Sequence, residues 1–352
     1  MRFFEKKWPA LLLWPLSVLY SSLTCLRNRA YDLALLPQHR LDTPVYSIGN
    51  ITVGGTGKTP TVLYIAQWLQ RRGLRVCVLS RGYGRKGKEP VHLNTGALNH
   101  YSADQAGDEP LLLAQRLPDT PILVDADRLA SGRMAQQRFH PDVILLDDGL
   151  QHRRLEREAD IVTFRRQAPL GNGFLLPAGP LRESPRRLQR CALLWLNGAK
   201  DGERAFSAQA PVIHATYEPL DLLDPAGKSH PLPLPPVSAV AFCGLANPNS
   251  FHQTLVKLEW TVRAFIPFPD HHAYTDQDLA RLMGRWRQEQ ADVLITTEKD
   301  WVKLVGRLSS EQPWRCLRIQ IMPEQAEQAD RLLEELFAVP LSAKRRAADH
   351  QG

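Results

Sequence analysis

Residues 44–59 read PVYSIGNITVGGTGKT, an apolar run that passes through a glycine-rich turn to a lysine and a threonine. The apolar residues at 44–49 predict a β-strand, and the spacing of apolar residues over 59–72 predicts a helix. Glycines allow consecutive backbone N–H groups to point at one anion, and the N-terminus of the following helix adds partial positive charge. The segment therefore predicts a loop that binds the phosphate groups of a nucleotide.

The phosphate loop, defined here as residues 52–59, departs from the usual pattern at its first position. That pattern, G-x-x-x-x-G-K-[ST], has glycine where this chain has Thr52. We expect Lys58 to reach the β- and γ-phosphates and the Thr59 hydroxyl to bind Mg²⁺. A glycine turn with an incidental lysine is the alternative. The predicted nucleotide-binding residues are Thr52, Val53, Gly54, Gly55, Thr56, Gly57, Lys58 and Thr59.

A second candidate part of the nucleotide site is the segment 143–148, which reads VILLDD. It predicts a buried strand that ends in two carboxylates, and such a strand end faces the crevice where ligands bind in parallel sheets. We expect Asp147 to hold Mg²⁺, directly or through water, with Asp148 assisting. An acidic turn at the end of a strand is the alternative. Together with the phosphate loop, the segment favours binding of a nucleoside triphosphate and Mg²⁺.

Short apolar strands alternate with helical patterns from residue 43 onward, which indicates a mostly parallel sheet with helices on both faces. We expect an α/β fold of the P-loop-containing nucleoside triphosphate hydrolase class. Residues 230–236 read HPLPLPP, a stiff segment that suits a linker. We therefore expect an ATP-binding kinase domain over 31–229, a smaller α/β domain over 237–340 and a loose basic tail over 341–352.

The composition narrows the classes of partner and compartment. The chain carries 44 Lys and Arg against 37 Asp and Glu, and this excess favours anionic partners such as phosphates, an acidic membrane face or nucleic acid. No basic stripe interleaved with aromatic residues supports nucleic-acid binding. The five cysteines are odd in number and form no CxxC pair, which favours a reducing cytosolic compartment over a disulfide framework.

Residues 10–26 form the only long apolar run, and basic residues flank it on both sides. The run is shorter than the ~20 residues that span a bilayer, and Pro15 and several hydroxyl residues interrupt it. We expect residues 1–30 to form a helix at the membrane interface, with its basic flanks facing anionic lipid. A helix packed on the globular body is the alternative, and spanning rather than interfacial placement stays open.

Several motifs follow one another in a fixed order along the chain. They are GNITVGGTGKTP (49–60), SRGYG (80–84), GDEP (107–110), DDGLQH (147–152), PAGPLRE (177–183), FPDHH (268–272) and TEKD (297–300). In combination they resemble the tetraacyldisaccharide 4′-kinase family of lipid A biosynthesis, including the threonine at the first position of the phosphate loop.

The resemblance implies an enzyme that lies peripherally or monotopically on the cytoplasmic face of the inner membrane of Gram-negative bacteria. It would transfer the γ-phosphate of ATP, with Mg²⁺, to the 4′-hydroxyl of a tetraacyldisaccharide 1-phosphate and so form lipid IVA. The implied partners are this lipid substrate and the membrane surface, with no nucleic acid and no obligate protein partner. A smaller domain that closes over the nucleotide is also implied.

The resemblance further implies roles for individual side chains. Asp108 would be the carboxylate beside the acceptor hydroxyl, and His271 would be its partner in a base dyad, with the adjacent His272 as the other candidate. Arg182 would stabilise phosphate charge, or else pair with a neighbouring acid such as Glu183.

Four further residues are candidate contacts in the same comparison. Tyr83 and His152 are expected to contact substrate or nucleotide. Glu298 and Lys299 would close the site from the second domain, or else form a solvated turn.

Two other functions use the same nucleotide residues. A P-loop NTPase that couples ATP hydrolysis to membrane-associated binding or assembly would need Lys58, Thr59 and Asp147 but no lipid acceptor. A non-enzymatic nucleotide sensor would need Lys58 and would not depend on Asp108 or His271.

Overall fold

A computed structural model describes residues 7–94, 101–198, 200, 209–309 and 311–349. The elements of the first part are α1 (Lys7–Asp32), β1 (Val45–Gly49), α2 (Lys58–Arg71), β2 (Val76–Ser80), β3 (Val91–Leu93), α3 (Ala103–Ala106), α4 (Asp108–Arg116), β4 (Ile122–Val124), α5 (Arg128–Phe139), β5 (Val143–Asp147), β6 (Ala159–Arg165), a 3₁₀ helix (Pro185–Arg190), β7 (Leu193–Asn197), β8 (Val212–Leu223) and β9 (Ser229–His230). The elements that follow are β10 (Ser238–Cys243), α6 (Pro248–Lys257), β11 (Thr261–Pro267), α7 (Asp276–Glu289), β12 (Val293–Thr297), α8 (Glu298–Leu304), β13 (Trp314–Pro323), α9 (Ala326–Leu336) and α10 (Ala338–Asp349).

Across the described ranges, the strands form one sheet in the order β11-β10-β12-β13-β8-β7-β6-β1-β5-β2-β4-β3, with β9 beside β8. The pairs β8–β13, β8–β9 and β3–β4 are antiparallel. The other pairs along this order are parallel. The predicted mostly parallel α/β sheet is therefore confirmed.

Helices cover both faces of this sheet. Side chains of a strand alternate between its two faces, so neighbouring residues of β2 belong to different hydrophobic clusters. Val76 and Val78 pack with residues of α2, α4 and α9, whereas Cys77 and Leu79 pack with residues of α5. In the second strand series, α7 and α8 contribute to one cluster and α6 to another. Burial on both faces explains why the strands read as continuous apolar runs.

The antiparallel pair β8–β13 joins the two strand series. The sequence pattern does not predict β8, because this strand contains Pro219 and many polar residues. Its register with β13 shifts between Arg318, which pairs with Asp221, and Ile319, which pairs with Pro219. A bulge tolerates a proline, since the missing N–H removes no ladder hydrogen bond there. The expected linker at 230–236 therefore connects strands of one continuous sheet.

The C-terminal helices return to the first half of the chain. In α9, Leu333 is buried in the same cluster as α2, and Asp330 accepts a hydrogen bond from Trp68 Nε1 at 2.6 Å. Phe337 stacks against Tyr46 of β1, with ring centroids 4.2 Å apart. The expectation of a loose tail from residue 341 is wrong for residues 341–349, which continue α10. Alanine, leucine, lysine and arginine favour helix, which accounts for this difference.

Helix α1 contacts the body through polar groups. Ser17 Oγ donates to the carbonyl of Leu175 at 2.8 Å and accepts from the N–H of Ala178 at 2.9 Å, and the Tyr20 hydroxyl donates to the carbonyl of Arg182 at 3.0 Å. The exposed leucines of this helix, between 55% and 83% accessible, are Leu12, Leu16, Leu19, Leu23 and Leu26. Within the described residues, no helix has the length and apolar character needed to cross a bilayer.

The packing of Phe337 generates a stability prediction. Phe337→Ala should lower the free energy of unfolding by about 3–5 kcal/mol, since it leaves a cavity between β1 and α2. Val339→Ala, at an exposed position two residues later, is the matched control and should stay within about 0.5 kcal/mol of wild type. Urea denaturation followed by circular dichroism measures both changes. Equal stabilities would show that α9 does not stabilise the first half.

Candidate active site

The phosphate loop is held in a conformation that only glycine can adopt at one position. Gly57 has a φ of +85°, and a Cβ there would lie 2.2 Å from the Tyr217 hydroxyl and 2.5 Å from Asn197 Nδ2. Both contacts come from the strands β7 and β8. The sheet therefore packs directly against the loop just before α2 begins at Lys58.

Buried hydrogen bonds hold the loop from below. Thr56 Oγ1 accepts from Asn50 Nδ2 at 3.0 Å and lies 2.8 Å from Thr163 Oγ1. Asn197 Nδ2 donates to the Thr56 carbonyl at 2.9 Å. Gly54 and Gly55 at the tip are exposed. The base of the loop is thus held by hydrogen bonds. Its tip is accessible, so the backbone N–H groups there are open to an anion.

The start of the phosphate loop pairs with the PAGPLRE segment. Thr52 is buried and forms an antiparallel bridge with Leu181. The N–H of Val53 donates to the carbonyl of Pro180 at 2.7 Å, and the N–H of Arg182 donates to the carbonyl of Ile51 at 2.7 Å. This backbone pairing brings the side chain of Arg182 to the phosphate loop.

Asp148 is bound by the two cationic candidates. Arg182 Nη1 lies 3.0 Å from Asp148 Oδ2, and Lys58 Nζ lies 3.9 Å from Asp148 Oδ1. Burial acts to raise the pKa of Asp148, but the positive charges of Lys58 and Arg182 outweigh it and hold the pKa below its ordinary value. Arg182 therefore pairs with Asp148, while Glu183 is engaged by Arg187 at 3.7 Å.

Asp147 has one carboxylate oxygen that suits a cation. Its Oδ2 accepts from Ser80 Oγ at 3.1 Å, whereas its Oδ1 is buried with no hydrogen-bond partner among the described residues. Burial raises the pKa of Asp147, and the negative charges of Glu109 and Asp148 add to this rise. A divalent cation would satisfy the oxygen and neutralise these charges.

A cation bound to Asp147 would need further ligands besides acidic side chains. In the part of the chain that the structure describes, no group of three or more His, Cys, Asp or Glu residues could hold a metal. Mg²⁺ is commonly held by one or two carboxylates together with substrate phosphates. The unpartnered Oδ1 of Asp147 fits that arrangement, in which the Thr59 hydroxyl would be a second protein ligand.

Asp108 and His271 come from the two different strand series and lie next to each other. Asp108 begins α4, and its Oδ2 lies 3.0 Å from His271 Nδ1 and 3.3 Å from Lys303 Nζ. Burial acts to raise the pKa of Asp108, but the hydrogen bond from His271 and the charge of Lys303 outweigh it, so the pKa is lowered. His271 has a φ of +59°, an uncommon backbone conformation that occurs often at functional sites.

The adjacent histidine has a different environment. His272 Nε2 lies 3.1 Å from Asp278 Oδ2, within the capping box of α7. Its ring stacks on Phe268, with centroids 4.7 Å apart. The structure thus places His271, rather than His272, beside Asp108.

The TEKD motif begins α8 and binds α4 instead of forming a solvated turn. Glu298 Oε1 pairs with Arg116 Nη1 at 2.7 Å in a buried ion pair. Lys299 Nζ lies 3.1 Å from His271 Nε2 and 2.7 Å from Asp270 Oδ1. Glu298 therefore holds the two helices together, and Lys299 reaches the histidine of the dyad.

The remaining two candidates differ in exposure. The side chain of Tyr83 is 72% exposed, and its ring centroid lies 6.0 Å from that of His271. His152 is partly buried, and burial lowers its pKa to about 4, with the charge of Arg128 adding to the effect. Tyr83 is thus accessible to a ligand, whereas His152 is less so.

Comparison with known proteins identifies the family of this chain. A family model described as tetraacyldisaccharide-1-P 4′-kinase matches residues 9–338. The chain belongs to this family. Tetraacyldisaccharide 4′-kinases from Syntrophus aciditrophicus and Geobacter metallireducens are 38% and 42% identical to it, over 93% and 85% of this chain and 93% and 89% of theirs.

A solved structure supports the same conclusion. The crystal structure of LpxK from Aquifex aeolicus in complex with ATP has a TM-score of 0.79 and 34% sequence identity to this chain. The match covers 93% of this chain and 99% of that one. The α/β architecture described above is therefore that of a tetraacyldisaccharide 4′-kinase.

Several buried residues around this site were not predicted from the sequence. Arg116 and Lys303 contact Glu298 and Asp108, and the charge of the buried Arg128 acts on Asp148. Helical spacing could have found Lys303, because it follows Lys299 by one turn. Arg128 follows a predicted strand at the sheet edge where ligands bind, which is a second usable signal.

The buried state of Asp147 generates a prediction on pH. A carboxyl group whose pKa is raised on folding contributes stability below its ordinary pKa and loses it as the pH rises through the folded value. Without Mg²⁺, Asp147→Asn should therefore gain stability relative to wild type as the pH rises from 5 to 8. Urea unfolding at both pH values measures this difference. Mg²⁺ with an ATP analogue should stabilise wild type more than the variant, and a pH-independent difference would contradict the assignment.

Proposed function

We propose that this chain transfers the γ-phosphoryl group of ATP to the 4′-hydroxyl of a tetraacyldisaccharide 1-phosphate and thereby forms lipid IVA. Membership of a family named for this reaction supports the proposal. ATP is bound in the structure of the Aquifex aeolicus relative, which supports ATP as the phosphoryl donor. Lys58, Arg182 and the phosphate loop would bind its phosphates, and Asp147 with Thr59 would bind Mg²⁺.

The observation that carries the proposal is the position of Asp108 relative to the predicted cation site. Glu109, its neighbour on α4, is near enough for its charge to raise the pKa of Asp147. Asp108 faces His271 from the other strand series. Asp108 would then serve as the proton acceptor that transfer to an alcohol requires.

The reaction needs charge neutralisation and in-line placement more than covalent chemistry. The acceptor oxygen forms a bond to the γ-phosphorus while the bond from phosphorus to the β,γ-bridging oxygen breaks, and ADP leaves. The hydroxyl proton passes to Asp108. Mg²⁺, when bound, would neutralise charge on the phosphate oxygens, and Lys58 and Arg182 add to that stabilisation.

The Asp108–His271 pair also separates this function from the two alternatives. An NTPase that drives binding or assembly needs the nucleotide residues but has no use for a base directed at a second substrate. A nucleotide sensor needs neither residue. A largely buried carboxylate held by two donors, outside the phosphate loop, favours transfer to an acceptor.

We further propose that α1 lies on the cytoplasmic face of the inner membrane. Five of its leucines and Trp14 are exposed, although apolar side chains of a helix ordinarily face the core. Arg27 and Arg29 at its end are also exposed and suit anionic lipid. The Tyr20 hydroxyl contacts the backbone of Arg182, so a helix in the bilayer surface would place the acyl chains of the acceptor beside the site.

The smaller domain predicted from the sequence could move relative to the nucleotide-binding domain. We propose that the unit of β10–β12 with α6, α7 and α8, within the expected domain 237–340, closes over the nucleotide and brings His271 to Asp108. The α4–α8 contact, with its Arg116–Glu298 pair, would be made in the closed state.

Transfer assays test the assigned residues. Lys58→Ala and Asp147→Ala should abolish transfer. Asp108→Ala and His271→Ala should each lower kcat by roughly 10²-fold or more, the scale of lost general-base catalysis. The assay incubates purified protein with γ-labelled ATP, Mg²⁺ and the micellar disaccharide and then locates the label. His230→Ala, in the β8–β9 hairpin, is the control and should keep full activity. Label released as phosphate without an acceptor would support an NTPase instead.

Vesicle binding tests the placement of α1. Leu19→Glu combined with Leu23→Glu should weaken co-sedimentation with anionic vesicles by about tenfold or more, because each leucine loses its burial in lipid. Leu234→Glu alters a leucine outside α1 that is even more exposed, and this variant should bind like wild type. Both variants should keep the kcat of wild type on acceptor in detergent micelles. Undiminished vesicle binding of the double variant would overturn the placement.

A further inference from the structure

The imidazole of His271 is contacted on both of its nitrogens. Nδ1 lies 3.0 Å from Asp108 Oδ2, and Nε2 lies 3.1 Å from Lys299 Nζ. Asp270 Oδ1 is 4.0 Å from Nε2, too far for a hydrogen bond, and instead binds Lys299 Nζ at 2.7 Å. Lysine is thus the hydrogen-bond partner of Nε2 among the described residues.

The chemistry of this contact decides which nitrogen carries the proton. A lysine ammonium has three donors and no acceptor, so the nitrogen that it contacts has to accept. A proton on Nε2 would point at the ammonium and repel it. Neutral imidazole carries one proton, which therefore sits on Nδ1 and is donated to Asp108.

We propose that Lys299 is a positioning residue that sets the tautomer of His271, so that His271 donates to Asp108 while Asp108 alone receives the proton of the acceptor hydroxyl. The inference deepens the proposed function and rests on it for the identity of the acceptor. It divides the roles within the dyad. His271 orients Asp108 through Nδ1–H, because the same nitrogen cannot donate to Asp108 and also take a proton from it.

The start of α8 is built to hold Lys299 in place. Asp300, on one side, is fully buried and accepts from the N–H of Gly244 at 2.9 Å and from Thr297 Oγ1 at 2.9 Å. Glu298, on the other side, is fixed by its buried pair with Arg116. The backbone of Lys299 is therefore anchored on both sides, which directs its side chain to His271.

Lys303 has a separate role from Lys299. Its Nζ lies 3.3 Å from each of Asp108 Oδ2, Asp300 Oδ1 and the His272 carbonyl. These three acceptors match the three N–H groups of an ammonium. Lys303 thus holds the carboxylate of Asp108, whereas Lys299 contacts the ring of His271.

Nitrogen NMR of the imidazole tests the tautomer without any need for catalysis. The full-length protein is labelled with ¹⁵N-histidine, and the His271 signals are assigned as those missing from His271→Gln. We expect wild type to show a protonated Nδ1 and an unprotonated Nε2. Lys299→Met cannot donate, so only Asp108 then holds the proton on Nδ1, and the share of the Nε2–H tautomer should rise. Lys299→Arg keeps donors at this position and should retain the wild-type spectrum.

Kinetics supply the second readout. Lys299→Met should lower kcat by about 10- to 100-fold, the scale of a misplaced catalytic group, with the KM for ATP little changed. Lys299→Arg should recover most of the loss. Lys257→Met, at the exposed end of α6, is the matched control and should behave as wild type. Thermal unfolding checks that each variant is folded.

The outcomes separate this inference from the proposed function. An Nε2–H tautomer in wild type overturns the inference, and so does a Lys299→Met variant that keeps both the wild-type spectrum and the wild-type kcat. If wild type transfers no phosphate to the disaccharide, the proposed function fails, yet the NMR spectra still decide the tautomer. The inference is supported if the imidazole nitrogen signals of His271 shift in Lys299→Met and do not shift in Lys299→Arg.

Discussion

The antiparallel pairing of β8 with β13 is the constraint on which the rest of the structure depends. It joins two parallel strand series into one sheet and so decides which helices of the two series can meet. Helix α8 then lies against α4, where Arg116 and Glu298 form a buried ion pair. Such pairs add little net stability, but an unpaired partner is costly, so they specify one arrangement. That arrangement brings His271 to Asp108.

Three aspartates close to the phosphate loop acquire different properties from their surroundings. Burial and neighbouring negative charge raise the pKa of Asp147, which suits a site that a cation would neutralise. Lys58 and Arg182 lower the pKa of Asp148, and His271 and Lys303 lower that of Asp108. Environments that push pKa values apart allow identical side chains to take different roles in catalysis. In the proposed function, Asp147 would bind the metal, Asp148 would pair with the phosphate-binding cations and Asp108 would act on the acceptor.

Local patterns were enough to predict the parts of the fold that depend on local chemistry. Continuous apolar runs predicted the buried parallel strands, and glycine with Lys58 predicted the phosphate loop before α2. The structure also brings together Asp108 and His271, which the family resemblance had paired. Strand β8 could not be predicted, because Pro219 and its polar residues suit a strand only beside the bulge in β8, where the register with β13 shifts. The contacts of Arg116 and Lys303 are equally non-local, since each partner lies on a different helix.

The proposed transfer depends most on Asp108 and His271 acting as a single unit, and a double-mutant cycle on kcat tests this directly. Asp108→Ala, His271→Ala and the double variant are compared with wild type at saturating ATP and acceptor. Residues that act together lose their contribution once either is removed, so the double variant should be no slower than the slower single variant. Losses that multiply, with the double variant slower by the product of the two single effects, would show that the residues act independently and would contradict the account.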